Sequence, residues 1–145
     1  MGNKTRELIE VHRGAPEIYR QLKETLESPS VYDETLMMLA RRGFGIPGSH
    51  VERDWAEPYQ SHPDVEAAWL EVYRDPKKHW DLYELAEKFV DLEHKFQQWR
   101  FAHMKTVERI IGGKRGTGGT SGVSYLQKAL NLKFFPELWT VRTSI

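Results

Sequence analysis

Cysteine is absent from this chain of 145 residues. Its absence excludes disulfide bonds, zinc sites built on thiolates, iron–sulfur clusters and a thiol nucleophile. Long apolar stretches are missing too. The longest run, Leu36 to Ala40, is far shorter than a membrane span, and the charged start of the chain lacks the apolar centre of a signal peptide. We therefore expect a cytoplasmic protein that folds without covalent cross-links.

An excess of charge of either sign is also lacking, with 21 Lys and Arg residues against 21 Asp and Glu residues. A balanced chain releases few counterions from nucleic acid and is not steered toward anionic lipid, so we expect neither as a partner. A chain of this length normally forms one domain with a sizeable core. We predict a single domain over residues 1–145.

Helical patterns dominate the chain and strand patterns are nearly absent, which predicts an all-α fold. One helix is predicted from Pro16 to about Glu27. The next begins after an N-cap at Ser30, with Asp33 in a capping-box position, and ends near Gly43. A connector rich in Gly and Pro follows over residues 44–63.

A short helix capped by Asp64 is then predicted, followed by one long helix from Pro76 to about Ile111, which Gly112 ends. At 1.5 Å per residue the long helix would be roughly 50 Å long, which predicts packing against other long helices. An apolar stripe recurs along it at steps of three and four: Leu82, Leu85, Phe89, Leu92, Phe96, Trp99, His103, Thr106 and Ile110.

His103 occupies a stripe position where the pattern favours an apolar side chain. One interpretation is a core imidazole whose ring N–H is satisfied by a carbonyl group. The other is an axial ligand of haem iron, with the second ring N–H held by an acceptor and with Trp99 and Val107 packed on the porphyrin. The spacing alone leaves both interpretations open.

The glycine-rich segment 112–122 would let the backbone approach a ligand closely, and a helix of about ten residues is predicted from Val123. The segment lacks the Gly-Lys-Ser/Thr ending of a phosphate-binding loop and follows a helix, which argues against a nucleotide site. A flexible loop is the alternative. The aromatic tail, Phe134 to Trp139, is expected to pack against the body of the chain.

A polar set on the long helix has spacing that a metal site could use. Lys88 and Lys95 lie where they can form helical ion pairs with members of this set, so a solvated face is the favoured interpretation. The set consists of Glu84, Glu87, Asp91 and His94.

Three segments resemble those of tryptophan 2,3-dioxygenases in order and spacing. Trp99 to Gly112 (WRFAHMKTVERIIG) is similar to the haem-ligand helix, and Lys114 to Gly122 (KRGTGGTSG) is similar to the substrate loop. Phe135 to Trp139, with Arg142-Thr143, is similar to the closing segment. Since Gly2-Asn3-Lys4 resembles a segment near the middle of the family's chain, the resemblance covers essentially the whole sequence as a C-terminal half lacking the N-terminal half.

The resemblance implies a haem dioxygenase that inserts both atoms of O2 across the indole C2–C3 bond of L-tryptophan. The product would be N-formylkynurenine, at the first step of tryptophan catabolism by the kynurenine route. By matching position, His103 would be the axial ligand of the iron of haem b, and Thr117 would contact the amino-acid end of the substrate. Ala102 departs from the family pattern, where a larger and often basic residue is expected.

The family's distal histidine and carboxylate-binding arginine belong to its N-terminal half, so no catalytic residue is assigned in this chain. We expect residues 1–75 to form the shorter helices and connector, and residues 76–145 the haem-ligand helix, glycine-rich loop and C-terminal helix. A homo-oligomer (the resemblance implies a tetramer) or a separate N-terminal half is expected as partner, with no activity from this half alone. The alternatives are a non-catalytic haem carrier or sensor, and a haem-free helical interaction module.

Overall fold

The computed structural model describes residues 6–112, 114 and 122–145, and every regular element in those ranges is helical. This confirms the all-α prediction. The elements are α1 (Arg6–Glu10), α2 (Pro16–Glu27), α3 (Val31–Arg41), α4 (Gly48–Val51), α5 (Pro63–Arg74), α6 (Trp80–Ile111), α7 (Val123–Ala129), α8 (Pro136–Thr140) and a closing 3₁₀ turn (Val141–Thr143).

Local chemistry sets the starts of the shorter helices. α2 begins at Pro16, and α3 begins after a complete capping box between Ser30 and Asp33, both as predicted. The predicted cap of α5 is wrong, because His62 and not Asp64 occupies the cap. The Nδ1 atom of His62 accepts a hydrogen bond of 3.2 Å from the Asp64 backbone N–H. Pro63 takes the first helical position, which needs no N–H donor, so the helix begins two residues earlier than predicted.

The long helix α6 begins at Trp80, four residues after the predicted start at Pro76, and ends at Ile111 as predicted. Residues 76–79 form turns instead. The side chain of Asp75 accepts a hydrogen bond of 3.2 Å from the Lys78 backbone N–H, a local contact that competes with helix formation. With 32 residues, α6 is about 48 Å long.

The hydrophobic core lies where α3 and α5 meet the first turns of α6 and the closing segment 135–141. Phe135 and Leu138 are buried in it, which confirms that the aromatic tail packs against the body. The core side chains are Tyr32, Leu36, Leu39, Phe44, Tyr59, Val65, Ala68, Trp69, Val72, Tyr73, Leu82, Ala86, Phe135, Leu138 and Val141. These residues form what we call the body of the protein.

α6 extends well beyond the body. Leu82 and Ala86 are buried in the core, but farther along the helix the buried side chains are Glu93, Arg100 and Met104. The predicted apolar stripe is therefore covered at its start and exposed over most of the distal half of α6, which we define as residues 92–111. The exposed apolar residues of this section of the stripe are Leu92, Phe96, Trp99 and Ile110.

Within the described ranges, no helix combines the length and the apolar composition that crossing a bilayer requires.

Candidate functional site

His103 lies on the exposed surface of the distal half of α6. Its interpretation as a core imidazole is therefore wrong. The reason is rotational: at 3.6 residues per turn, the stripe lies roughly a quarter turn around the helix from the face of Glu93, Arg100 and Met104. That second face is the one covered by the rest of the chain, so the stripe residues beyond Leu92 stay open.

Two aromatic rings precede His103 along the exposed face of the helix. The indole of Trp99, one turn before it, lies nearly parallel to the imidazole, with ring centroids 5.3 Å apart and planes 4° apart. Phe96 contacts the Trp99 ring nearly edge-on, with centroids 6.4 Å apart. Both geometries are favoured for aromatic pairs. The imidazole therefore stacks on a ring of its own helix, although it is open to solvent.

The His103 side chain, with its two ring nitrogens, is exposed. Among the described residues, no polar group forms a hydrogen bond with either nitrogen. From the sequence, Trp99 was expected to pack on a porphyrin next to the imidazole. In the structure, its ring stacks on the imidazole itself. Val107, one turn after His103, was expected to pack on the porphyrin as well, and its side chain is half-buried. An unpaired imidazole on an exposed face is free to bind a metal centre through one nitrogen.

The surface next to the histidine is apolar. Leu92, Lys95, Phe96 and Trp99 line a shallow groove of about 380 Å³. Ile110 is exposed farther along the same stripe. A contiguous apolar surface of this kind normally marks the binding site of a ligand or partner.

The residues present fit one side of a haem. Haem proteins hold the iron with a proximal histidine and contact the porphyrin with apolar side chains, and the exposed imidazole of His103 beside Phe96 and Trp99 supplies both. The acceptor that usually holds the second ring N–H does not occur among the described residues. Ala102, beside the histidine, is exposed and small.

Thr117, the predicted substrate contact, lies outside the described residues, as do its neighbours in the glycine-rich segment. The flanking glycines are described. Gly112 and Gly122 both have φ of +59°, a conformation that favours glycine. These glycines therefore mark the end of α6 and the start of α7.

The polar set on α6 divides in the structure. Glu84, Asp91 and His94 are exposed, whereas Glu87 accepts hydrogen bonds from the Tyr73 hydroxyl at 2.7 Å and from Arg142 at 2.6 Å. In the part of the chain that the structure describes, no three His, Asp or Glu side chains are grouped to hold a metal ion. That finding concerns multi-ligand sites, whereas an axial haem site needs one protein ligand.

Sequence reasoning missed the second face of α6. Glu93 and Arg100 are buried there, seven residues apart, and they bind the backbone of residues 132–135. A signal was present in the sequence, because Glu93, Arg100 and Met104 recur at the heptad spacing of a covered seam. Charged residues at such positions normally suggest solvent exposure, which concealed the pattern.

A buried carboxylate joins the closing segment to the body. Glu137 Oε1 accepts hydrogen bonds of 2.8 Å from the Tyr32 hydroxyl and 3.0 Å from the His62 backbone N–H. Burial raises the pKa of the Glu137 carboxyl above its ordinary value, and burial likewise raises the pKa of Tyr32. This contact holds α8 in a fixed place against the body.

Comparison with known proteins gives a consistent result. A family model described as tryptophan 2,3-dioxygenase matches residues 70–145. Tryptophan 2,3-dioxygenase 1 of Ralstonia nicotianae is 57% identical over all 145 residues of the chain, which correspond to 49% of that protein. Tryptophan 2,3-dioxygenases of Burkholderia orbicola and Ralstonia pickettii are also 57% identical over the whole chain, covering 47% and 52% of their own lengths. The chain thus spans about half the length of the curated relatives it matches.

Proposed function

The chain belongs to the tryptophan 2,3-dioxygenase family, and from that premise we propose that it forms the haem-ligating part of a dioxygenase acting on L-tryptophan. The observation that carries the proposal is the exposed His103. Its two ring nitrogens have no partner among the described residues, and it lies on an apolar, aromatic helix face. The two interpretations of this histidine were a core residue and an iron ligand, and its exposure favours the ligand.

In this proposal, four residues of the distal half of α6 have defined roles. His103 holds the iron of haem b through one ring nitrogen, and the Trp99 ring restricts rotation of the imidazole. The apolar side chains of Phe96 and Leu92, which line the groove beside Trp99, would exclude water from a haem held by His103. The cofactor supplies O2 activation for insertion of both oxygen atoms across the indole C2–C3 bond of tryptophan, giving N-formylkynurenine.

Substrate contacts and partners extend the proposal beyond the described site. We assign Thr117 to the amino-acid end of tryptophan. Because the chain spans about half the length of its relatives, we propose that turnover requires a segment equivalent to the rest of that length. Assembly with that segment, or into a homo-oligomer, would cover the open stripe of α6. A cytoplasmic location stays a prediction from the sequence.

Titration of the purified chain with haemin tests the cofactor assignment. The native chain is expected to give a saturating Soret band at one haem per chain, and His103→Ala is expected to lose it. His94→Ala is the matched control, because His94 is a second exposed histidine on α6. Equal haemin binding by the native chain and the His103 variant would contradict the assignment.

A turnover experiment tests the reaction. The chain is loaded with haemin, mixed with the N-terminal half of the Ralstonia nicotianae relative, and supplied with L-tryptophan and O2 under reducing conditions. N-formylkynurenine is expected from this mixture and is expected to be lost with His103→Ala. Haemin binding through His103 without any product would support the non-catalytic carrier instead.

A further inference from the structure

The backbone between α7 and α8 is bound by two buried side chains of α6. The Glu93 carboxylate, 1% exposed, accepts hydrogen bonds of 2.9 Å from the Phe134 N–H and 3.2 Å from the Phe135 N–H. Arg100, two turns later, donates a hydrogen bond of 2.7 Å to the Leu132 carbonyl oxygen. We call Glu93 and Arg100 the clamp.

The two phenylalanines that the clamp holds point to different regions. Phe135 is buried in the body, where its ring stacks on Phe89 with centroids 4.1 Å apart. Phe134 lies under the Arg100 guanidinium, 4.9 Å from the ring centroid, and meets the Phe96 ring at 90° with centroids 5.4 Å apart. The clamp therefore fixes Phe134 against the body on one side and against the exposed stripe on the other.

An unbroken series of rings then leads to the histidine. Phe134 contacts Phe96, Phe96 contacts Trp99, and Trp99 stacks on His103. Every step has the centroid separation of a favourable aromatic pair. We call these four rings the aromatic column. It runs along the distal half of α6, where the body no longer covers the helix.

We propose that the clamp and the aromatic column are positioning elements that set the orientation of the His103 imidazole. Exposed side chains on a helix usually sample several rotamers, whereas a stacked and anchored ring keeps one. The charged groups of the clamp form hydrogen bonds with the backbone of residues 132–135. These bonds hold the Phe134 ring at a fixed position along α6, where it contacts Phe96. The relevance of this orientation to iron binding rests on the proposed function, but the orientation itself does not.

The first test uses nuclear magnetic resonance of the chain without haemin. Stacking on an indole shifts the carbon-bound imidazole protons of His103 upfield from those of the exposed His94. Phe96→Leu interrupts the column, and Glu93→Gln weakens the clamp by replacing one acceptor oxygen with an amide donor. Both variants are expected to move the His103 resonances toward those of His94, with helix content checked by circular dichroism.

Two controls separate positioning from general packing. Phe96→Tyr keeps an aromatic ring in the column and is expected to retain the native His103 shift. Leu92→Ala removes an exposed apolar side chain from the same stripe, outside the column, and is also expected to leave the shift unchanged. Since Phe96 is exposed, its variants remain informative even if Glu93→Gln proves too unstable to study. Native His103 resonances in Phe96→Leu would overturn the proposal.

The second test measures haemin affinity in the same variants. Because residues that orient a metal ligand typically influence metal affinity by 10-fold to 100-fold, Phe96→Leu and Glu93→Gln are expected to weaken haemin binding about tenfold. If the native chain binds no haemin while the resonances respond as described, the proposed function fails and the positioning inference stands. If haemin binds through His103 and neither measurement responds to Phe96→Leu, the positioning inference fails and the proposed function stands.

Discussion

Trp69 and Trp99 occupy opposite environments in the same chain. Trp69 of α5 is 1% exposed, enclosed by the side chains of the body, whereas Trp99 is 60% exposed on the distal half of α6. Burial of a large aromatic side chain is a main source of folding free energy. The body is therefore the part that stabilises the fold, and the exposed stripe on the distal half of α6 contributes little to stability and carries the candidate ligand.

The difference between the two regions separates stability from function. Apolar side chains in the body are buried against other parts of the chain. Phe96, Trp99 and Ile110, in contrast, leave large apolar surfaces exposed, which another molecule could cover. A substitution in the body should change the free energy of unfolding, and one in the exposed stripe of the distal half should change binding. Three predictions test this contrast, in order of decreasing effect.

The largest effect is expected from the pair of tryptophans. Trp69→Ala should lower the free energy of unfolding by about 3–5 kcal/mol, because it removes a buried indole and leaves a cavity. Trp99→Ala should lower it by about 0.5 kcal/mol or less, because its ring is already largely in water. Urea unfolding followed by circular dichroism measures both.

For ligand binding, the larger effect is expected from Trp99→Ala. Trp99→Ala should weaken haemin binding while leaving the fold intact. Equal destabilisation by Trp69→Ala and Trp99→Ala would contradict the division into two regions, because it would mean that the distal half of α6 is also covered in solution.

Local chemistry explains which parts of the fold were predictable from the sequence. The capping box of Ser30 and Asp33 and the helix start at Pro16 depend on neighbouring residues, so their prediction succeeded. The start at Pro63 depends on His62 taking the cap in place of Asp64, and the start at Trp80 follows the turn in which Asp75 binds the Lys78 N–H. Here the predictions were wrong by a few residues.

The face that α6 buries could not be predicted in the same way. Its coverage depends on Glu93 and Arg100 binding a segment 32 to 42 residues later in the chain. Helical periodicity identified the stripe that includes His103 but could not tell which face the chain would cover. The candidate ligand was located by its motif, and its exposure emerged from the three-dimensional arrangement.

An effect of intermediate size on the free energy of unfolding is expected from the titration of Glu137 in the body. Burial raises the pKa of the Glu137 carboxyl in the folded protein above its unfolded value. The folded state therefore favours the protonated form. The contribution of Glu137 to stability is fully present below the unfolded pKa and is lost as the pH rises through the folded pKa.

Glu137→Gln removes this titration. Relative to the variant, the native chain should lose unfolding free energy as the pH rises from below the unfolded pKa of the Glu137 carboxyl through its raised folded pKa. The amide oxygen can still accept from Tyr32 and from the His62 N–H, so any other cost of the substitution is nearly constant with pH. Urea unfolding across the pH series measures the difference, and a constant difference would contradict a raised pKa.

The smallest effect on stability is expected at the end of the stripe. Ile110 is 74% exposed, so Ile110→Lys should leave the free energy of unfolding within about 0.5 kcal/mol of the native value. The added charge should nevertheless weaken self-association, because it interrupts the apolar surface through which the distal half of α6 is expected to contact another molecule. Sedimentation velocity at several concentrations measures this change.

Val11→Lys is the matched control, since Val11 is 79% exposed but lies in the turn after α1, away from the stripe. If Ile110→Lys reduces association and Val11→Lys does not, the contact is specific to the distal half of α6. An equal response of both would assign the effect to net charge and not to the stripe. A loss of more than about 2 kcal/mol in Ile110→Lys would instead mean that Ile110 is buried in solution, since exposed substitutions rarely cost that much. The contrast between the two regions would then describe the isolated chain but not the assembled protein.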